Sequence, residues 1–196
     1  MDAMSLRDVK RAATARALAT AAFGLALERG LDHFTIDDVV RVAGYSRRTF
    51  ANHYSCKEEA VTAVAVARLR DTLETFPPQD PDLSPLDWLQ ELARHQLSGG
   101  VLELLIQLRS LADDHPTLEP YLYAVQQEIR ELALDALLRR VGSRASELYP
   151  YLLVGAAYGA MTAIVNGRVP LIRRESLKTD IGEFVTSIFA QLRRGF

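Results

Sequence analysis

Only one cysteine, Cys56, occurs in this chain of 196 residues. No internal disulfide can form, so the fold must rest on a hydrophobic core, which a chain of this length can supply. A lone thiol fits a reducing cytoplasm. Also missing is any excess of charge: 23 Lys and Arg against 25 Asp and Glu leave a formal net charge of -2. The whole molecule is therefore no polycation that coats nucleic acid. No alternating apolar pattern flanks an Asn-Gly or Asp-Gly turn, which argues against a sheet. No glycine-rich phosphate loop follows a strand, and the four histidines, His33, His53, His95 and His115, lack metal-ligand spacing. We therefore expect no enzyme, metal site or cofactor. Asp113-Asp114-His115 reads as a helix end and turn, because Pro116 follows it directly.

Two further absences concern membranes. The opening residues MDAMSLRDVKR contain no uninterrupted apolar run before a small-residue cleavage site, so no secretory signal is expected. Leu148 to Gly167 lacks charge over 20 residues, a length that could span a bilayer. Pro150, Gly155, Gly159, Asn166 and three tyrosines within it favour instead a helix buried in protein on both faces. A cytoplasmic protein with no membrane partner is the expectation.

What is present is helical signal. Alanine, leucine, glutamate and arginine abound, and apolar residues recur at spacings of three and four. The pattern predicts an all-α chain of about nine helices: an N-terminal three-helix head over residues 1–57 and a C-terminal helical bundle over residues 58–196. A first helix is predicted over Leu6–Arg29, with Ala15, Ala19, Ala22, Phe23, Ala26 and Leu27 facing inward and Gly30 ending it. Thr35 and Asp38 form a capping-box pattern for a second helix to about Val42. Gly44 supplies a turn, and Ser46 caps a third helix ending near Tyr54. Ser55 and Glu58 make a further capping box for a helix running to about Phe76. After the breaker Pro77-Pro78-Gln79-Asp80-Pro81, helices are predicted from Ser84-Pro85 through His95, then over about Val101–Asp114, Pro116–Arg140, Ala145–Val165 and Ser176–Arg193.

Charge is unevenly placed. Residues 1–57 hold nine Lys and Arg against six Asp and Glu, whereas residues 58–196 hold fourteen against nineteen. The basic surplus lies at the N-terminus, and the most informative segment is TIDDVVRVAGYSRRTFANHYSCKEEA, from Thr35 to Ala60. It reads as two short helices joined by a glycine turn. Phe50 and Tyr54, four apart, point to a small core, while Arg47, Arg48, Ala51 and Asn52 share the opposite face. Two arginines and an asparagine are groups able to read guanine and adenine edges bidentately in the major groove. Thr35 and Lys57, at helix N-termini, and Thr49 and His53, flanking the face, suit phosphate contacts. Ser46 completes the predicted DNA-binding set. Arg7, Lys10 and Arg11 could approach the minor groove or flanking phosphates.

The same segment resembles the TetR family of bacterial transcriptional regulators. Its pattern of a threonine, an apolar helix, Ala-Gly-x-Ser, then Thr with a following His-aromatic pair and Lys-Glu is matched by Thr35, Ala43, Gly44, Ser46, Thr49, Phe50, His53, Tyr54, Lys57 and Glu58. Arg48 stands where glycine or proline is common, Ala51 replaces an aromatic residue, Cys56 a serine or asparagine, and Val40 an alanine. The resemblance implies a repressor that binds a double-stranded DNA operator as a homodimer and is released by a small-molecule effector.

Beyond Glu58 the resemblance rests on helix count, and it implies a variable bundle whose central helices enclose the effector while the last two pair across a dyad. Trp88, Gln96, Arg109, Tyr121, Tyr123 and Gln126 are the candidate pocket residues, being polar or amphipathic groups within apolar helices. Gly155 and Gly159, with Phe184 and Ile188, are the candidate dimer contacts. A recognition helix this short needs two copies about one DNA turn apart, roughly 34 Å, which predicts a near-palindromic operator. The competing reading is a DNA-binding protein without an effector, controlled by abundance or a protein partner.

Overall fold

A computed structural model describes residues 5–142, 148–168 and 177–195, with side chains from residue 182 onward in the last stretch. Nine α-helices and no strand occur among the described residues: α1 (Leu6–Arg29), α2 (Ile36–Ala43), α3 (Arg47–Ala51), α4 (Lys57–Glu74), α5 (Pro85–Ser98), α6 (Val101–Asp114), α7 (Glu119–Val141), α8 (Tyr149–Val165) and α9 (Leu177–Arg194). Short 3-10 turns precede α2, at Leu31–His33, and α7, at Pro116–Leu118. The all-α expectation holds. Ser176 and residues 145–147, which the sequence assigned to helix starts, lie outside the described residues.

Two compact units are present, one formed by residues 1–67 and 107–125, the other by 68–106 and 126–196. In the first, α1 packs on α2 and α2 on α3. The inward face of α1 is Leu18, Ala19, Ala21, Ala22, Leu25 and Ala26. Leu27, assigned inward from sequence, is exposed; a stripe centred on Leu18 and Leu25 rotates it outward. Gly30 ends α1 at φ 76°, its amide donating to the Ala26 carbonyl.

Local chemistry explains the helix starts. Thr35 Oγ1 accepts from the Asp38 amide while Asp38 accepts from the Thr35 amide at 2.9 Å, a reciprocal box at the start of the helix. Ser84 accepts from the Asp87 amide, with Pro85 in the first turn of α5. The box expected between Ser55 and Glu58 is instead formed with the next residue: the Ser55 amide and hydroxyl both donate to Glu59 Oε2, at 2.7 and 2.6 Å. The Glu59 amide in turn lies 3.4 Å from Cys56 Sγ. The cap is shifted because α4 begins at Lys57.

In the second unit α5, α8 and α9 pack on one another around Leu86, Trp88, Leu89, Leu92, Leu153, Val154, Ala157, Val185 and Phe189. Arg193 on α9 binds Asp87 and Gln90 on α5, which together with Ser84 holds the Asp87 carboxyl below its ordinary range. The end of α5 is tight: a Cβ on Gly99 would collide with the Thr72 methyl. Among the described residues no helix is long and apolar enough to cross a membrane.

Candidate nucleic-acid interface

Gly44 makes the interface possible. At φ 75° and ψ 30° it occupies the left-handed region that closes a helix, its amide donating to the Val40 carbonyl. The Tyr45 amide donates to the same carbonyl at 2.9 Å, and the chain reverses into α3. Ser46 caps α3 by accepting from the Thr49 amide at 3.1 Å, and its hydroxyl lies 2.9 Å from that of Thr49. Phe50 is 1% exposed and anchors the helix inward. Its ring stacks obliquely with Tyr54, whose hydroxyl donates to the Ala15 carbonyl of α1 at 2.9 Å. Burial pushes the Tyr54 hydroxyl up to about 12, so it remains a proton donor. The α helix stops at Ala51, short of the predicted end, and a turn carries the chain through His53.

With Phe50 inward, Ser46, Arg47, Arg48, Ala51 and Asn52 are all exposed, and Thr49 and His53 are half-buried beside them. Arg48 has no partner among the described residues. Arg47 is held by Asp37 of α2, with Nε 2.7 Å from Oδ1 and both side chains more than half exposed. Sequence reasoning missed this pair. His53 is shifted below the ordinary imidazole range by burial and by the Arg11 charge, so it faces the surface mainly as a neutral ring.

Two residues assigned to phosphate contacts are engaged internally. The Thr35 hydroxyl donates to Asp38 at 2.7 Å, and Asp38, held down to about 2 by the Thr35 hydrogen bonds and by Arg41, fills the anion-favouring end of α2. The Lys57 ammonium donates to the Leu31 carbonyl at 2.6 Å and the Phe34 carbonyl at 3.3 Å, and sits 5.1 Å from the Phe34 ring centre. It ties the turn before α2 to the start of α4. The Lys-Glu signal thus marks a structural clamp at this position.

The second unit contains a cavity of about 60 Å³. Of the residues assigned to a pocket, Gln96 and Gln126 line it, accompanied by Tyr158 and Thr162 in walls otherwise apolar. Trp88 is buried in the core of α5, edge-on to Phe76, and does not line the cavity. Arg109, Tyr121 and Tyr123 belong to the first unit. Arg109 chelates Asp113 and Glu119 at 2.8 and 2.6 Å, Tyr121 is half-buried, and Tyr123 is exposed. Of the assigned dimer contacts, Gly155 and Gly159 are exposed, with open space where a Cβ would stand. Phe184 is half-buried, and Ile188 faces the cavity. No group of three or more His, Cys, Asp and Glu among the described residues is placed to hold a metal ion.

A capped helix, a left-handed glycine turn and a second capped helix presenting an exposed basic face define a helix-turn-helix protein with a helical body. No family model matches the chain, and no curated protein sequence does. Solved structures do. A protein described as a TetR-family transcriptional regulator from Syntrophomonas wolfei superposes at TM-score 0.63 with 14% identity, covering 94% of this chain and 96% of its own. Another so described, from Mesorhizobium loti, gives TM-score 0.52 and 17% identity over 92% and 97%. The chain has the fold of the TetR-family transcriptional regulators.

Proposed function

We propose that the chain is a ligand-responsive transcriptional repressor of the TetR family that binds a palindromic DNA operator as a homodimer. The observation that carries this reading is the exposed face of α3. Arg47, Arg48, Ala51 and Asn52 are turned outward by a buried Phe50 and a doubly capped turn. On DNA, Arg47 leaves Asp37 and, with Arg48 and Asn52, meets base edges. Ser46, Thr49 and His53 contact sugar or phosphate at the rim, and the Ala51 methyl packs on a thymine methyl. Thr35 and Lys57 act through the α2 N-terminus they organise. In this reading residues 1–57 serve DNA contact and residues 58–196 the effector and dimer contacts.

Dimer contact is supported by the exposed, charge-free face of α8, where Leu148, Tyr151 and Leu152 lie in the open beside Gly155 and Gly159. Two recognition helices per operator compensate for the few bases that one can reach. The cavity favours effector control over regulation by abundance or a protein partner. A ligand that binds one dimer geometry better than the other draws the population away from DNA by linkage. The protein acts in the cytoplasm, with no catalytic step.

Selection from random duplexes followed by fluorescence anisotropy tests the reading. The expected outcome is an inverted-repeat site bound by two chains, lost in Arg47→Ala/Arg48→Ala. A single asymmetric site bound by one chain refutes it.

A further inference from the structure

Which class of molecule the cavity takes is written in its wall. Leu92, Leu102, Leu105, Ile129 and Phe189 supply apolar surface, and Met161, unbranched and soft, can adapt to shape. Among the described residues no carboxylate, ammonium or guanidinium group lines it. Among the described residues Tyr158 is its one ionisable group, and burial pushes that hydroxyl up to about 12, so this wall carries no charge. An ionic ligand would enter uncompensated, at a desolvation cost that apolar contact does not return.

The second observation is a polar group left without a partner. Gln96 is only 9% exposed. Its Oε1 accepts from the Tyr158 hydroxyl at 3.3 Å, whereas its Nε2 is buried with no hydrogen-bond partner among the described residues. Buried amide nitrogens are normally satisfied, and one in a cavity wall marks a position that an incoming acceptor can fill. The terminal torsion of glutamine is soft, so the carboxamide can turn to a ligand without leaving its rotamer well. At about 60 Å³ the space exceeds what one water needs several-fold, yet stays small for an effector site.

Building on the ligand-control reading above, we propose that the cavity binds a compact, uncharged molecule bearing a carbonyl or ester oxygen, which accepts a hydrogen bond from Gln96. Selectivity comes from the mismatch of costs. A hydrocarbon fills the apolar volume but leaves the amide unsatisfied, while a carboxylate satisfies the amide but buries a charge.

The test uses the full chain and three ring compounds of matched size: cyclohexanone, methylenecyclohexane and cyclohexanecarboxylate. Binding is followed by calorimetry and ligand-observed NMR. The ketone is expected to bind about tenfold more tightly than the alkene, the equivalent of one net hydrogen bond, with the carboxylate weakest. In Gln96→Leu, and in the closer-shaped Gln96→Met, the ketone and alkene should become equal, with helix content and cooperative unfolding checked in each. Ketone and alkene binding equally to the wild type, or a ketone preference that survives both substitutions, overturns the assigned class and leaves effector control standing. Tightest binding by the carboxylate does the same. Binding of none of the three overturns the ligand reading together with this inference, whereas operator binding, measured separately, is unaffected by any of these results.

Discussion

Replacing Arg47 and Arg48 by alanine separates base readers from a merely solvated basic face. Both side chains are exposed, and neither supports the core, so the fold should be unaffected. Arg47 first has to leave Asp37, but an exposed pair with side chains 68% and 55% accessible is worth only about 0–1 kcal/mol. A bidentate contact to guanine is worth about 1–3 kcal/mol of discrimination, so the exchange favours DNA. A dimer carries each arginine twice, so each substitution should cost roughly 2–6 kcal/mol on an inverted repeat, about 30-fold to more than 10⁴-fold. On random duplex the loss is confined to phosphate attraction, and the salt slope falls by about one per contact removed. Anisotropy titrations on selected and scrambled duplexes across a salt series read both quantities. Equal losses on the two duplexes would reduce the arginines to phosphate clamps. An unchanged ratio with unchanged slope would remove α3 from the interface altogether.

Four further outcomes follow from the geometry. Asp37→Asn frees Arg47 and removes a carboxylate from the first turn of α2, so operator affinity should rise by up to about fivefold, the worth of one exposed pair, in the same titration. Gly44→Ala places a Cβ at φ 75° and should cost about 1–2 kcal/mol in urea unfolding while weakening operator binding further by tilting α3. Gly99→Ala forces a Cβ into the methyl of Thr72, whose hydroxyl is fixed on the Leu69 carbonyl at 2.7 Å, so unfolding should show a loss of about 1–3 kcal/mol without altered DNA selectivity. Asp38 titrates at about 2 in the folded chain against an ordinary 3.8. Its contribution is complete above pH 3.8 and disappears as pH falls toward 2, and Asp38→Asn should flatten that part of the acid-unfolding profile.

Much of the head could be read from sequence because its determinants are local. Thr35 and Asp38 stand three apart, Gly44 follows the last apolar residue of α2, and Ser46 sits three before Thr49, so each cap is a fixed-spacing event that needs no knowledge of tertiary structure. What the sequence hid there was long-range. Lys57 looked like a phosphate ligand because it opens a helix, yet the carbonyls it serves, Leu31 and Phe34, precede it by 26 and 23 residues. Asp37 looked like any first-turn carboxylate, and its partner Arg47 is reached only after the Gly44 reversal. In the body, polarity within an apolar helix flagged Gln96 and Gln126, and both line the cavity. It also flagged Arg109, whose i+4 Asp113 already offered a partner and a simpler explanation. Helix rotation decides between these outcomes, and α7 gave little warning of its own, its exposed Tyr123 and its cavity residue Gln126 being only three apart.

That division has a physical cause which also accounts for the low identity to structures of the same fold. A helical core tolerates exchange among residues that are apolar and of about the right volume, so α5, α8 and α9 can keep their packing while their sequence drifts. At 14% identity over 94% of the chain, the fold persists where little residue-level signal does. Caps, a left-handed glycine and outward guanidiniums allow no such exchange: alanine at Gly44 strains the turn and alanine at Ser46 uncaps α3, whereas leucine for isoleucine in a bundle does neither. The 25 or so residues around α2 and α3 are therefore where sequence could point to nucleic acid, by position-specific chemistry at fixed spacing. The proposed effector site has to be found the other way round, from an uncharged wall and a buried amide without a partner, because a cavity is defined by what its neighbours fail to fill.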